Sequence, residues 1–170
     1  MKRLTVGLLG LGLLCANAYA DDFNTQLSTE SIKSMPSTET SRKVEGEAFL
    51  AANKVKPGVV TTSSGLQYEV ITEGSGAQPT DNDKVTVHYA GTLINGKEFD
   101  SSYKRGQPAV FPVGAVIPGW IEALKLMKVS SKWKIYIPAA LAYGERGAPP
   151  MIGPDEALIF TVELIGINQS

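Results

Sequence analysis

Val85-Thr86-Val87-His88-Tyr89-Ala90-Gly91-Thr92-Leu93 is the stretch that sets the fold. Val85, Val87 and Tyr89 alternate with Thr86, His88 and Ala90, the period of a strand with one apolar face. Asn95-Gly96 follows almost at once. That dipeptide suits the tight turns of hairpins, so the strand is expected to fold back on a segment running through Phe99.

Further along, the same period recurs. Leu66-Gln67-Tyr68-Glu69-Val70 alternates, and Gly74-Ser75-Gly76-Ala77-Gln78-Pro79 breaks the chain with turn formers. Lys132-Trp133-Lys134-Ile135-Tyr136-Ile137 places Trp133, Ile135 and Ile137 on one face. Leu158, Phe160, Val162 and Leu164 do the same in the last strand. One helical pattern interrupts the set: Trp120, Ala123, Leu124 and Met127 fall at i, i+3, i+4 and i+7, a single apolar stripe. A sheet with one apolar face needs a cover, and this short helix supplies it. The expected architecture is α+β, an antiparallel sheet wrapped on a short helix, with no internal repeat.

The segment before Gly65 reads differently. Lys2 and Arg3, the apolar run Leu4 to Ala16 and Ala18-Tyr19-Ala20 have the pattern of a cleaved signal peptide over residues 1–20. The run is short for a membrane span, and Leu14 before Cys15 disfavours a lipid anchor. Residues 21–40 are polar and rich in Ser and Thr, expected as a flexible leader. Residues 41–64 are expected to hold a helix and linker, with Val44, Ala48 and Ala51 or Ala52 on one side, Phe49 beside them, and Thr40 or Ser41 as cap. Such a helix is too short to stand alone in water and must pack or fray.

Composition narrows the chemistry. The formal net charge is −1, and no basic block is available to neutralise phosphates, which argues against general nucleic-acid binding. Cys15 is the single cysteine and lies within the expected signal, so disulfides and thiolate chemistry are excluded from the mature chain. His88 is the single histidine and falls on the polar face of its strand, a poor basis for zinc. No phosphate loop, nucleophile elbow or dinucleotide fingerprint is present. Asp155-Glu156 are adjacent carboxylates in an expected loop. What remains is a set of aromatics at strand ends, turns and the helix start: Tyr89, Phe99, Phe111, Trp120, Tyr143 and Phe160. By composition alone they fit a core as well as a pocket. Asp100, by itself, reads as a carboxylate capping a turn through Ser101 and Ser102.

Ordered motifs across about a hundred residues carry a resemblance. Val85–Leu93, Gly96-Lys97-Glu98-Phe99-Asp100-Ser101-Ser102, Phe111-Pro112-Val113-Gly114, Val116-Ile117-Pro118-Gly119-Trp120, Ile137-Pro138, Ala142-Tyr143-Gly144 and Leu158–Leu164 together resemble the FKBP-type peptidyl-prolyl isomerases. The resemblance implies a five-stranded antiparallel half-barrel around the helix in residues 65–170. It implies Asp100, Tyr143, Phe99 and Trp120 as catalytic residues, with Tyr89, Phe111, Val116, Ile117, Ile152 and Phe160 binding substrate or inhibitor. Trp120 would be the floor, and Tyr89, Phe99, Val116, Ile117 and Phe160 the walls. Phe111 and Ile152 would line the rim. The Tyr143 hydroxyl and the Ile117 N–H would meet carbonyls. Proline-containing polypeptides and the macrolides rapamycin and tacrolimus are the implied partners, and no cofactor or metal is implied.

Two stretches depart from the small members of that family: Ala115-Val116-Ile117-Pro118 is about two residues shorter, and Ala148 stands where an aromatic or histidine is found. Phe49–Lys54 with Gly65–Tyr68 is similar to exported bacterial members, including the macrophage infectivity potentiator group, with a shortened N-terminal region. A monomer in the periplasm is therefore expected, with outer-membrane association or secretion as further destinations. The other reading of the same pocket is a proline-directed binding module or holdase chaperone.

Overall fold

The computed structural model describes residues 38–168; the expected signal peptide and most of the expected leader lie outside them. Chain order is α1 (Thr38–Asn53), β1 (Val59–Thr61), β2 (Gln67–Thr72), β3 (Lys84–Leu93), β4 (Glu98–Ser101), α2 (Ser102–Arg105), β5 (Ala109–Pro112), α3 (Pro118–Leu126), β6 (Lys132–Ile137) and β7 (Leu158–Asn168). All pairings are antiparallel, in the order β1-β2-β6-β7-β3-β4, with β5 also on β3.

The strand quoted first sits at the centre. β3 pairs along its whole length with β7, from Lys84↔Asn168 to Leu93↔Leu158. Its other edge is shared: β5 takes Lys84 to Val87, and β4 takes Ala90 to Thr92. β4 and β5 are thus one interrupted sheet position, broken where α2 bulges outward. With β1 set aside as a three-residue addition to the edge of β2, five sheet positions remain, as expected for the half-barrel. The sheet itself begins at Val59, ahead of Gly65, because β1 pairs with β2.

The hairpin forms at Asn95-Gly96. Gly96 has φ +85°, and the Leu93 N–H donates to Lys97 O at 2.9 Å. The alternation then sorts the residues. Val85, Val87, Tyr89 and Leu93 of β3, Trp133, Ile135 and Ile137 of β6, and Leu158, Phe160, Val162 and Leu164 of β7 are all buried. Trp120, Ala123 and Leu124 of α3, with Met127 just beyond it, close the core from the concave side. Gly119 lets α3 approach β6: a Cβ there would lie 2.5 Å from the Ile137 side chain.

α1 differs from its expected form in start and in face. It begins at Thr38, so Thr40 and Ser41 are inside it, and the Ser41 hydroxyl donates to Glu45 at 2.8 Å. Val44, Ala48, Ala51 and Ala52 are exposed. The docked face is instead Gly46, Phe49, Leu50 and Asn53. Gly46 lies on Ala157, Phe49 packs 6.1 Å from the Tyr136 ring, and Asn53 donates to Gln67 at 2.9 Å. Gln67 in turn donates to Leu50 O at 2.8 Å. Backbone shape at Gly46 and a polar pair outweigh the apolar stripe, because the convex face of the sheet at Gln67 and Tyr136 offers hydrogen-bonding groups as well as a ring. The expected packing of this helix is met, on a different side.

Candidate functional site: an aromatic cleft on the concave sheet

The inner face of β3 carries Tyr89, and Phe160 comes from the β7 position opposite Gly91. Trp120 rises from the first turn of α3, where Pro118 holds the first helical position and needs no N–H partner. Phe111 comes from β5. Trp120 meets Tyr89 at 5.3 Å, Phe160 at 5.3 Å and Phe111 at 5.9 Å between ring centroids, with interplanar angles of 89°, 88° and 85°. Edge-to-face contact favours such rings electrostatically, and it leaves one face of each available to line a hollow. That hollow, about 350 Å³, is lined by Tyr89, Asp100, Phe111, Ala115, Val116, Ile117, Trp120, Tyr143 and Phe160.

Eight of the ten residues singled out by the sequence are therefore together. The other two stand off it. Phe99 lies edge-on to Phe160 at 5.4 Å and supports that wall. Ile152 is buried in the core cluster, tied to Ala148 by two backbone hydrogen bonds, and is not among the residues that line the hollow. Ala115 is an added lining residue.

Gly91 makes the arrangement possible. It points to the inner face of β3, and a Cβ there would sit 2.6 Å from both the Phe160 and the Phe99 rings. Any side chain would push the two aromatics apart.

Asp100 does not cap the turn after β4. Ser101 does, accepting from the Lys104 N–H at 3.4 Å. Asp100 is left to accept hydrogen bonds from the Tyr89 hydroxyl on one oxygen and from Arg105 on the other. Arg105 also donates to the Tyr89 hydroxyl at 2.8 Å and lies 5.5 Å from its ring. The short α2, ended by Gly106 at φ +72°, turns the chain so that Arg105 comes back over Asp100. Sequence reasoning missed Arg105; its only signal was a cation one helical turn beyond an acidic strand end. Burial pushes the Asp100 carboxyl up, but the hydrogen bonds from Tyr89 and Arg105 and the Arg105 charge outweigh it, and its pKa falls below the ordinary carboxylate value. Burial and the Asp100 contact push the Tyr89 phenol up.

The Ile117 N–H has no backbone acceptor among the described residues. It borders the cleft just before α3. Tyr143, 41% exposed, lines the same cleft. Two residues able to donate hydrogen bonds thus share the lining with an apolar floor. His88 lies on the outer face as expected, stacked on Tyr103 at 4.6 Å and bonded to Ser102 at 2.9 Å. Among the described residues no group of three or more His, Cys, Asp or Glu side chains could hold a metal, and no helix is long and apolar enough to cross a membrane.

Fold and cleft together define a β half-barrel with a small aromatic cleft on its concave face. Residues 75–165 match the FKBP-type peptidyl-prolyl cis-trans isomerase domain, and residues 15–70 match the domain amino-terminal to it. The chain belongs to the FKBP-type peptidyl-prolyl cis-trans isomerase family. It is 61% identical over 125 residues to the peptidyl-prolyl cis-trans isomerase Mip of Coxiella burnetii, covering 74% of this chain and 54% of that one. It is 44% identical to the outer membrane protein MIP of Legionella longbeachae over 99% of this chain and 74% of the relative. The crystal structure of FkpA from Escherichia coli superposes with a TM-score of 0.76 at 41% identity, covering 86% of this chain and 68% of that one. The chain thus spans about half the length of the Coxiella relative.

Proposed function

We propose that this protein accelerates cis-trans rotation of X–Pro bonds in exported polypeptides. The observation that carries the reading is the cleft: a largely aromatic hollow that brings Trp120, Tyr89, Phe111 and Phe160 together with Tyr143 and Ile117, each able to donate a hydrogen bond. Trp120, Tyr143, Asp100 and Phe99 are its proposed catalytic and supporting residues, with Tyr89, Phe111, Val116, Ile117 and Phe160 holding the prolyl ring.

The amide must lose its double-bond character to turn, against a barrier of roughly 18–20 kcal/mol. The twisted amide is less charge-separated than the planar one, so a water-poor aromatic site favours it. Donors aimed at the flanking carbonyls fix the chain on either side of the bond. Each tenfold gain needs about 1.4 kcal/mol, which a few such contacts supply. No covalent intermediate enters. The family resemblance adds that rapamycin and tacrolimus compete for the cleft. The N-terminal pattern supports a cleaved signal and a periplasmic location, and we take the protein as a monomer.

A protease-coupled assay on a proline tetrapeptide, with and without rapamycin, tests the activity. Drug-sensitive acceleration is expected, and its absence leaves the holdase reading. Tyr143→Phe removes one hydrogen bond, about 0.5–1.5 kcal/mol, so kcat/KM should fall about two- to tenfold with an unchanged unfolding midpoint.

A further inference from the structure

The loop that leaves Tyr143 is built on a backbone contact between two glycines. Gly147 has φ +62°, and a Cβ on it would lie 2.6 Å from the carbonyl carbon and oxygen of Gly153. The Gly147 N–H donates to Tyr143 O at 3.2 Å, so this contact holds the residue that borders the cleft. Ala148 and Ile152 exchange backbone hydrogen bonds at 2.9 and 3.1 Å and tie the two arms between the glycines.

The other side of Gly153 is covered from outside the half-barrel. A Cβ there would lie 2.9 Å from the guanidinium of Arg42, on α1. Glu156 completes the link. One of its oxygens accepts from the Gly153 N–H at 3.1 Å and the other lies 3.3 Å from Arg42 Nε. Gly153 is thus clamped between Gly147 and Arg42. The pair is half-buried and still open to solvent on the Arg42 side, so its own contribution to stability is modest; what it fixes is the position of a backbone.

We propose that Arg42 is a positioning residue for the isomerase site: through Gly153 and Gly147 it sets where Tyr143 and the segment Ala148–Met151 meet the chain flanking proline. It rests on the isomerase reading above. A peptide whose prolyl ring occupies the cleft must pass its rim at Tyr143, and Met151 in the same loop is exposed. Displacing this rim alters contact with the residue before proline more than contact with the ring itself. α1 therefore contributes to substrate preference although none of its residues lines the cleft.

The test compares kcat/KM for tetrapeptides that differ only in the residue before proline, Ala, Leu, Phe or Glu, in the full chain. In Arg42→Ala, and in Gly153→Ala, which forces the guanidinium away, the ratio between the best and the poorest peptide should change about threefold or more. Glu156→Gln keeps an acceptor for the Gly153 N–H and should retain the preference better than Glu156→Ala. A smaller change in Arg42→Ala, or an equal loss for every peptide, overturns the proposal, since a purely structural role lowers all rates alike. Should Gly153→Ala fail to fold, Arg42→Ala decides alone. If the unaltered protein shows no isomerase activity, the isomerase reading has failed, and the link itself is still read by NMR: Arg42→Ala must move the Gly147 and Tyr143 amide signals, and unmoved signals overturn it.

Discussion

Asp100 stands between a phenol and a guanidinium, and its ionisation controls how both are held. Because its folded pKa is lowered, its contribution to stability is present above the unfolded carboxylate value of about 3.9 and is lost as pH falls through the lower folded value. Tyr89 has the opposite sense. Its raised pKa favours the neutral phenol, so that contribution holds below about pH 10 and is lost as pH rises through the folded value. The difference in thermal midpoint between the unaltered protein and Asp100→Asn should be flat from about pH 5 to 9 and shrink in acid; a difference that does not shrink at all as pH falls below the unfolded carboxylate value of about 3.9 would contradict this. Gly91 gives a second prediction on the residue scale. Gly91→Ala forces the Phe99 and Phe160 rings to move, which should cost about 1–3 kcal/mol in urea unfolding and lower isomerase activity together. Trp120→Ala is a poor probe of the site, since it opens the core as well.

On the scale of the element, α1 shows how a short helix is held by shape and polarity rather than by an apolar stripe. Its inner face presents Gly46 to Ala157 and Asn53 to Gln67, while Val44 stays 57% exposed. Gln67 is the centre of that contact, accepting from Asn53 and donating to Leu50 O. Gln67→Ala removes the acceptor of the buried Asn53 amide and one of the two donors to Leu50 O, which keeps the Lys54 N–H; this should cost about 1–3 kcal/mol, read as a lower urea midpoint. α2 has a different role. Four residues, capped by Ser101 and stopped by Gly106, split one sheet position into β4 and β5 and bring Arg105 back over the cleft. Strand periodicity revealed β3 and the hairpin, but a four-residue helix leaves no period to read.

On the scale of the whole molecule, β3, β4, β5, β7, α3 and the loop at Tyr143 all contribute lining residues to the cleft. A ligand seated there should stabilise the fold as a unit. Rapamycin at a hundredfold excess over its dissociation constant should add about 2.7 kcal/mol to the unfolding free energy, seen as a raised thermal midpoint. No shift would place the macrolide elsewhere or nowhere. Sedimentation should give the mass of one chain, since α1 folds its polar docking face onto its own sheet; a mass of two chains would point to the exposed Val44 side of that helix.

The sequence by itself determined the sheet, its hairpin and the covering helix, which follow from period and turn chemistry, local properties of the chain. The cleft residues were expected only through the family resemblance that its ordered motifs carry, since the aromatics alone fit a core as well as a pocket. Only the tertiary structure decided that Ile152 is core and Phe99 a support, that Arg105 joins Tyr89 and Asp100, and that α1 docks through Gly46 and Asn53. Each of these depends on which distant surface a residue meets. A glycine or an amide carries no sign in the sequence of the ring, carbonyl or guanidinium that folding brings against it.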